Sequence, residues 1–133
     1  MLEVQIFTLY PDLYPGLLDV GIYKKAKEKQ KWSLKIIDIR DYAFDDNRTV
    51  DDTPFGGGSG MLLKPDVVAS ALDKNIKGKE KIIYLSPKGK RLDQKEVKSL
   101  SKLNKINILC GHFEGIDQRL LETRNIEEYS IGD

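Results

Sequence analysis

Apolar residues fall in short blocks separated by amphipathic stretches, and the two alternate along the whole chain. Leu2 to Leu9 (LEVQIFTL) is one such block, closed by Pro11, and it predicts a buried strand. A helical stretch is expected from there to about Lys29, and Ser33 to Ile39 (SLKIIDI) predicts a second strand. The polar, glycine-rich run from Arg40 to Gly60 is too long for an ordinary connection, which marks it as functional or mobile. Pro65 suits the first turn of a helix, and Val67, Val68, Ala71 and Leu72 follow at helical spacing. Lys81 to Ser86 (KIIYLS) predicts a third strand that stops at Pro87. Asp93 with Glu96 three residues on is a capping-box pattern that opens a helix to about Leu103. Ile106 to Cys110 (INILC) reads as a fourth strand, and Gly115 to Thr123 as a short helix. Strands that alternate with helices predict an α/β fold with a mainly parallel sheet flanked by helices.

Size and composition narrow the possibilities. The 133 residues, 40% hydrophobic and 32% charged, suit one domain, residues 1–133, with a core that needs no staples. Lys plus Arg total 22 and Asp plus Glu 21, a net charge of +1, which argues against a polybasic coat but leaves room for a local basic patch. The single cysteine, Cys110, excludes an intrachain disulfide and a multi-cysteine zinc site. No apolar run approaches the ~20 residues of a membrane span. The N-terminus has no basic segment before its apolar stretch and carries Glu3, so it makes a poor signal peptide and a cytoplasmic protein is expected.

The glycine run Phe55-Gly56-Gly57-Gly58-Ser59-Gly60 invites comparison with phosphate loops, and fails it. A P-loop needs Lys and then Ser or Thr after its last glycine, but Met61 and Leu62 stand there. A dinucleotide fold needs its glycines directly after a strand, and the turn Tyr10-Pro11-Asp12 after the first strand has none. What remains is a surface loop, or a loop whose backbone approaches a ligand closely. Two other turns, Leu85-Ser86-Pro87-Lys88-Gly89-Lys90 and Cys110-Gly111-His112-Phe113-Glu114-Gly115, lie at strand carboxyl ends. Open parallel sheets bind ligands there, so both turns are expected to wall one crevice, with Gly111 and Gly115 turning main-chain amides toward the ligand.

Among single residues, Cys110 closes an apolar strand and reads as an inert buried thiol. His112 is the only histidine and has no partner for a metal pair or a catalytic triad. Glu114 lies between ligand-facing glycines and reads either as a partner for a cationic cofactor or as a helix-initiating acid. Asp45, Asp46, Asp51 and Asp52 allow Mg2+ without forming a ligand cluster, and spaced acids in a polar loop are usually solvated. Arg48 beside them serves either a phosphate or an ion pair. The Lys24-Lys25-Ala26-Lys27 run near Trp32 reads first as a solvated face and second as a phosphate-contacting stripe.

Taken together, these segments match a family. Arg48-Thr49-Val50-Asp51-Asp52-Thr53-Pro54-Phe55-Gly56-Gly57-Gly58-Ser59-Gly60-Met61 resembles the signature loop of the bacterial tRNA (guanine-N1)-methyltransferases. Tyr84-Leu85-Ser86-Pro87-Lys88-Gly89 resembles a second family motif. Cys110-Gly111-His112-Phe113-Glu114-Gly115-Ile116-Asp117-Gln118-Arg119 is similar to a third, and Glu128-Tyr129-Ser130-Ile131-Gly132-Asp133 to the segment leading into the family's knot.

The resemblance implies a SPOUT-type α/β fold with a trefoil knot, a homodimer, and methyl transfer from S-adenosylmethionine to N1 of the guanine 3′ of the anticodon in tRNA. It implies cofactor contacts from Tyr84, Leu85, Ser86, Pro87, Gly111, Phe113, Glu114, Gly115, Ser130, Ile131 and Gly132, largely through main-chain groups. Arg48, Gly57, Gly58 and Gly60 are implied near the target guanine, and Asp51 and Glu114 as supporting catalytic residues. No protein-bound metal is implied. His112 and Phe113 stand where the family commonly has Arg and Tyr, which removes a permanent charge at one and a phenol hydroxyl at the other. Family members continue past the Ile-Gly-Asp into the rest of the knot and a helical domain that carries the general-base aspartate. The chain is therefore expected to be an N-terminal portion, inactive alone, that supplies the cofactor pocket and part of the dimer face. Two rival readings are a knotted methyltransferase acting on another RNA nucleotide and a catalytically silent RNA-binding or dimerisation module. Neutral net charge weighs against the latter.

Overall fold

A computed structural model describes residues 1–52, 62–111 and 115–131 of the chain. The strands are β1 (Leu2–Thr8), β2 (Trp32–Asp38), β3 (Asp51–Asp52), β4 (Leu62–Leu63), β5 (Lys81–Arg91), β6 (Lys105–Leu109) and β7 (Glu127–Ser130). The α-helices are α1 (Gly21–Glu28), α2 (Pro65–Asn75), α3 (Gln94–Ser101) and α4 (Gln118–Thr123). Five strands form one sheet in the order β2-β1-β6-β5-β7, and every pairing in it is parallel. β3 and β4 form a separate antiparallel pair.

Period-two alternation divides the buried side chains between the faces of the sheet. On one face Phe7, Ile82, Tyr84 and Leu109 pack with Val67, Val68, Ala71 and Leu72 of α2 and with Leu120 and Leu121 of α4. On the other, Ile83, Ile106 and Tyr129 form a smaller cluster against which Leu92 and Leu100 pack. The helical spacing read for α2 is therefore its buried face. Each fully buried aliphatic or aromatic side chain here contributes roughly 1.5–3 kcal/mol. Between the layers lies one polar seam. Gln5 and Asn107, paired across β1 and β6 and both buried, share a 2.8 Å hydrogen bond from Gln5 Nε2 to Asn107 Oδ1. Asn107 Nδ2 donates to Glu80 Oε1 at 3.0 Å and to the Lys81 carbonyl at 3.1 Å, so its amide is used from both ends.

Several expectations need correction. The long helix to Lys29 is instead two single 3-10 turns, Pro11–Leu13 and Gly16–Asp19, followed by the eight-residue α1. Pro11 and Pro15 disfavour α conformation in the residues before them, and Gly16 and Gly21 take positive φ values of 53° and 58°. The helix expected from Gly115 begins at Gln118, where Asp117 caps it by accepting from the Arg119 amide at 2.8 Å. The capping box of α3 is half made. Asp93 accepts from the Glu96 amide at 2.8 Å, but the Glu96 carboxylate goes to Lys90 Nζ at 2.9 Å and accepts a longer bond from the Tyr129 hydroxyl. The third strand does not end at Pro87, and residues 127–130 add a strand that the apolar pattern did not announce.

Candidate functional site

Strand β5 leaves its ladder with β7 and returns to it. Tyr129 of β7 is opposite both Leu85 and Lys90 of β5, so residues 86–89 arch out of the sheet between those two pairings. Pro87, which lacks a backbone N–H, sits within the arch, where no ladder bond is required of it. The Ser86 hydroxyl steadies the turn by accepting from the Lys88 amide at 3.1 Å and by bonding to the Glu128 carboxylate. Gly89 is fitted to the return of the arch, since a Cβ there would lie 2.6 Å from the Tyr129 amide nitrogen.

Beside the arch, β6 ends at Leu109 and the chain turns through Cys110 and Gly111. The connection from β5 passes to α3 on one face of the sheet, whereas that from β6 passes to α4 on the other. A crevice opens where adjacent parallel strands send their connections to opposite faces. Here it is a cleft of about 510 Å³. Tyr84, Leu85, Ser86, Pro87 and Lys88 form one wall, and Gly111, Gly115, Ile116, Gln118 and Leu121 form the other, with Glu128 also at its surface.

Glycine at 111 is required by contact: an added Cβ would lie 2.7 Å from the Tyr84 hydroxyl and closer still to its ring. Glycine at 115 is required by backbone, with φ at +128°. Burial, reinforced by the charge of Glu128, raises the Tyr84 phenol above its ordinary pKa, so it is a neutral donor at pH 7. On the far side of the β6 turn the Tyr14 hydroxyl lies 3.4 Å from Cys110 Sγ, and that hydrogen bond together with burial pushes its pKa up to about 12. Cys110 is half-buried.

The structure thus brings together Tyr84, Leu85, Ser86, Pro87, Gly111 and Gly115, all expected in one crevice. Ser130 pairs with Arg91 at the end of β7, and Ile131 follows it with an exposed side chain. Arg48 stands apart from the cleft lining, with a positive φ of 55°. Its guanidinium reaches Asp41 at 2.8 Å and Asp38 at 3.2 Å, so of its two sequence readings the ion pair is the one formed. Asp51 lies opposite Leu63 in the β3–β4 pair, and the Leu63 amide donates to the Gly115 carbonyl at 3.3 Å. The base of the glycine-rich segment is thereby tied to the cleft wall. Gly57, Gly58, Gly60, His112, Phe113, Glu114 and Gly132 lie outside the described residues. Among the described residues, no group of three or more His, Cys, Asp or Glu is placed to hold a metal ion. No helix among them is long and apolar enough to cross a membrane.

Sequence reasoning placed Lys88 in the crevice wall with its turn but missed Ile116, Gln118, Leu121 and Glu128 as cleft residues. Glu128 had a usable signal, because residues two apart in a strand share a face and Ser130 was already a candidate.

The sheet and its cleft define an α/β protein with a crevice at the carboxyl edge of a parallel sheet, without the glycine fingerprint of dinucleotide folds. Its sequence carries the definition further. Residues 2–133 match the family described as tRNA (Guanine-1)-methyltransferase TrmD, and the chain belongs to that family. It is 61% identical over 133 residues to the tRNA (guanine-N(1)-)-methyltransferase of Pelagibacter ubique, covering 100% of this chain and 58% of that protein. It is 50% identical over 132 residues to the protein of the same description from Agrobacterium fabrum, covering 98% and 57%. The crystal structure of tRNA (m1G37) methyltransferase from Aquifex aeolicus superposes with a TM-score of 0.86 at 36% identity, covering 99% of this chain and 60% of that one. The fold is therefore of the SPOUT α/β type, and the chain spans somewhat under two thirds of the length of these relatives.

Proposed function

We propose that this chain forms the S-adenosylmethionine pocket of an enzyme that methylates N1 of the guanine 3′ of the anticodon in tRNA. The observation that carries this reading is the shared cleft: two family motifs, distant in sequence, line one cavity of about 510 Å³ at the ends of β5 and β6. Its residues fit the group. The cleft is lined by main-chain groups of Gly111 and Gly115 beside the Tyr84 ring, and the half-open Leu85 offers apolar surface. The Glu128 carboxylate supplies negative charge for a cationic ligand. The bound cofactor would supply an electrophilic methyl group on a sulfonium that is already a good leaving group.

The chain's own residues then position and exclude. The arch at 86–89 and the turn through Gly111 hold the two walls, and β7 closes one side. The pairing of Asp51 with Leu63, whose amide bonds to the Gly115 carbonyl, favours a supporting catalytic role for Asp51, and Arg48 keeps its proposed place near the target guanine. Guanine N1 is protonated at neutral pH, so a general base is needed, and we assign it to the part of the relatives beyond this chain's match. Glu114, Phe113, Gly132, Gly57, Gly58 and Gly60 keep their proposed contacts with cofactor and guanine. A trefoil knot, cytoplasmic location and a working homodimer belong to the same reading. For the last, the exposed Leu13, Leu17, Val20 and Ile22 before and at the start of α1 supply apolar surface for a second copy.

Calorimetric titration with S-adenosylhomocysteine, alongside a map of methylated nucleotides in tRNA, tests the reading. One site per chain and a single modification at the guanine 3′ of the anticodon are expected. Absence of binding to a protein that carries this chain together with the relatives' remaining length would refute it.

A further inference from the structure

The sequence is nearly neutral, yet its cations are not evenly paired. Lys95, Lys98 and Lys102 line a groove of about 590 Å³ together with Gln94 and Ser99, and no acidic residue lines it. At ~100° and ~1.5 Å per residue, positions 95, 98 and 102 lie within about 60° of one another and span about 10 Å along α3. All three side chains are exposed, and none forms an ion pair among the described residues. The acids nearest in sequence are otherwise occupied. Asp93 caps α3, and Glu96 holds Lys90 and accepts from Tyr129.

The groove is connected to the cleft. Lys88 lies in the cleft wall, Leu92 is bonded through its amide to the Ser130 carbonyl at 2.7 Å, and α3 starts two residues later. Lys88 and Arg91 are likewise exposed and make no ion pair among the described residues. Exposed cations that form no ion pair among the described residues therefore stand both at the cleft rim, at Lys88, and on α3, at Lys95 and Lys98, with Lys102 just after it.

We propose that these cations form a docking surface for the RNA phosphate backbone flanking the nucleotide presented at the cleft, with Lys95, Lys98 and Lys102 each neutralising a phosphate. The proposal rests on the RNA-methylating reading above and assigns a surface to it. What sets α3 apart is the groove that the three lysines line together, whereas on α1 Lys27 is held by Asp19 and, among the described residues, no such groove gathers the neighbouring lysines. On α3 the acids are withdrawn into a cap and an ion pair, which leaves charge complementary to a polyanion.

The test is fluorescence anisotropy of a labelled tRNA anticodon stem-loop against the intact protein carrying this chain, between 50 and 200 mM salt. Lys95→Gln, Lys98→Gln and Lys102→Gln are combined in one variant. Lys24→Gln, Lys25→Gln and Lys29→Gln on and beside α1 form a charge-matched control. The α3 variant is expected to lower the slope of log affinity against log salt by about 2–3 and to weaken binding at 0.1 M by about 10- to 100-fold. Its affinity for S-adenosylhomocysteine and its urea midpoint should stay at the wild-type values, and the control should change the slope by less than about 1. An unchanged slope, or an equal loss in the control, overturns the proposal. So does an equal loss of binding to heparin, which would make the face a general polyanion surface. Wild-type protein that binds S-adenosylhomocysteine but not the stem-loop overturns this inference and leaves the cofactor pocket standing; failure of both overturns both.

Discussion

Replacing Gly111 by alanine probes the cleft at its tightest point. The added Cβ would lie 2.7 Å from the Tyr84 hydroxyl, where carbon and oxygen in ordinary contact stand at about 3.5 Å, and it would press still harder on the ring. Backbone strain plays no part, because Gly111 is not among the glycines with positive φ. Tyr84 is only 7% exposed and its strand is paired with β6 and β7, so its backbone has nowhere to retreat. Relief must come from a swing of the ring into the cleft or a shift of the turn, and either narrows the proposed cofactor site. Overpacking of this kind costs about 1–3 kcal/mol. If the ring yields into the cleft, cofactor affinity falls by about 5- to 100-fold, since ~1.4 kcal/mol is tenfold. Urea denaturation and titration with S-adenosylhomocysteine read the two effects separately. Tyr84→Leu combined with Gly111→Ala should recover at least about 1 kcal/mol relative to the sum of the single changes, because the opposing atoms are gone. A Gly111→Ala protein with wild-type midpoint and affinity, or a strictly additive pair, would refute the contact.

Gly115→Ala separates the other cause: its Cβ would meet the Tyr84 hydroxyl at an ordinary 3.7 Å, so the expected loss of about 1–3 kcal/mol in a urea titration is backbone strain at φ +128°, and adding Tyr84→Leu should not rescue it. Asn107→Ala removes one of the two acceptors of the buried Gln5 amide, which keeps only the Asn75 carbonyl, and one Glu80 contact, and should cost about 2–4 kcal/mol in the same assay, whereas a cost below about 1 kcal/mol would mean that the seam is not holding β1 to β6. Glu80 is pushed up by burial, but donation from Asn107, the Lys77 amide and Lys105 outweighs this and leaves its pKa lowered. The stabilisation it brings is therefore present above the ordinary carboxylate value of ~4.3 and is lost as pH falls through the lowered value. Wild type should exceed Glu80→Gln by about 1 kcal/mol at pH 7, with the gap closing below about pH 4, and a gap independent of pH would contradict the assignment. Asp93→Ala removes the cap on α3 and should cost about 1 kcal/mol without altering cofactor affinity, read by thermal unfolding and calorimetry.

Much of this architecture was legible in residue order. Strands β1, β5 and β6 were visible because strands inside a parallel sheet carry dense apolar runs, as LEVQIFTL, KIIYLS and INILC do, and the edge strand β2 because SLKIIDI still holds the apolar pair Ile36-Ile37 between polar neighbours. α2 was visible because its buried residues recur at helical spacing. β7 was not, because EEYS has one buried side chain and three half-buried positions, and its place comes from pairing with β5. The helix expected through residues 11–20 failed because amphipathic spacing survived where proline and positive-φ glycine had removed the helical backbone.

The candidate site divides in the same way. The sequence by itself determined which residue types stand at the two turns, including the glycines and the absence of a dinucleotide fingerprint, because these follow from local sterics and from spacing along the chain. Only the tertiary structure decided that the turns face one another, that Gly111 is small because of Tyr84 and Gly115 because of its own φ, and that Arg48 is held by Asp38 and Asp41. It also decided that β5 arches away from β7 and brings Glu128 to the cleft. Those facts depend on contacts between residues tens of positions apart, whose distances are set by strand order and register rather than by any neighbour in the chain.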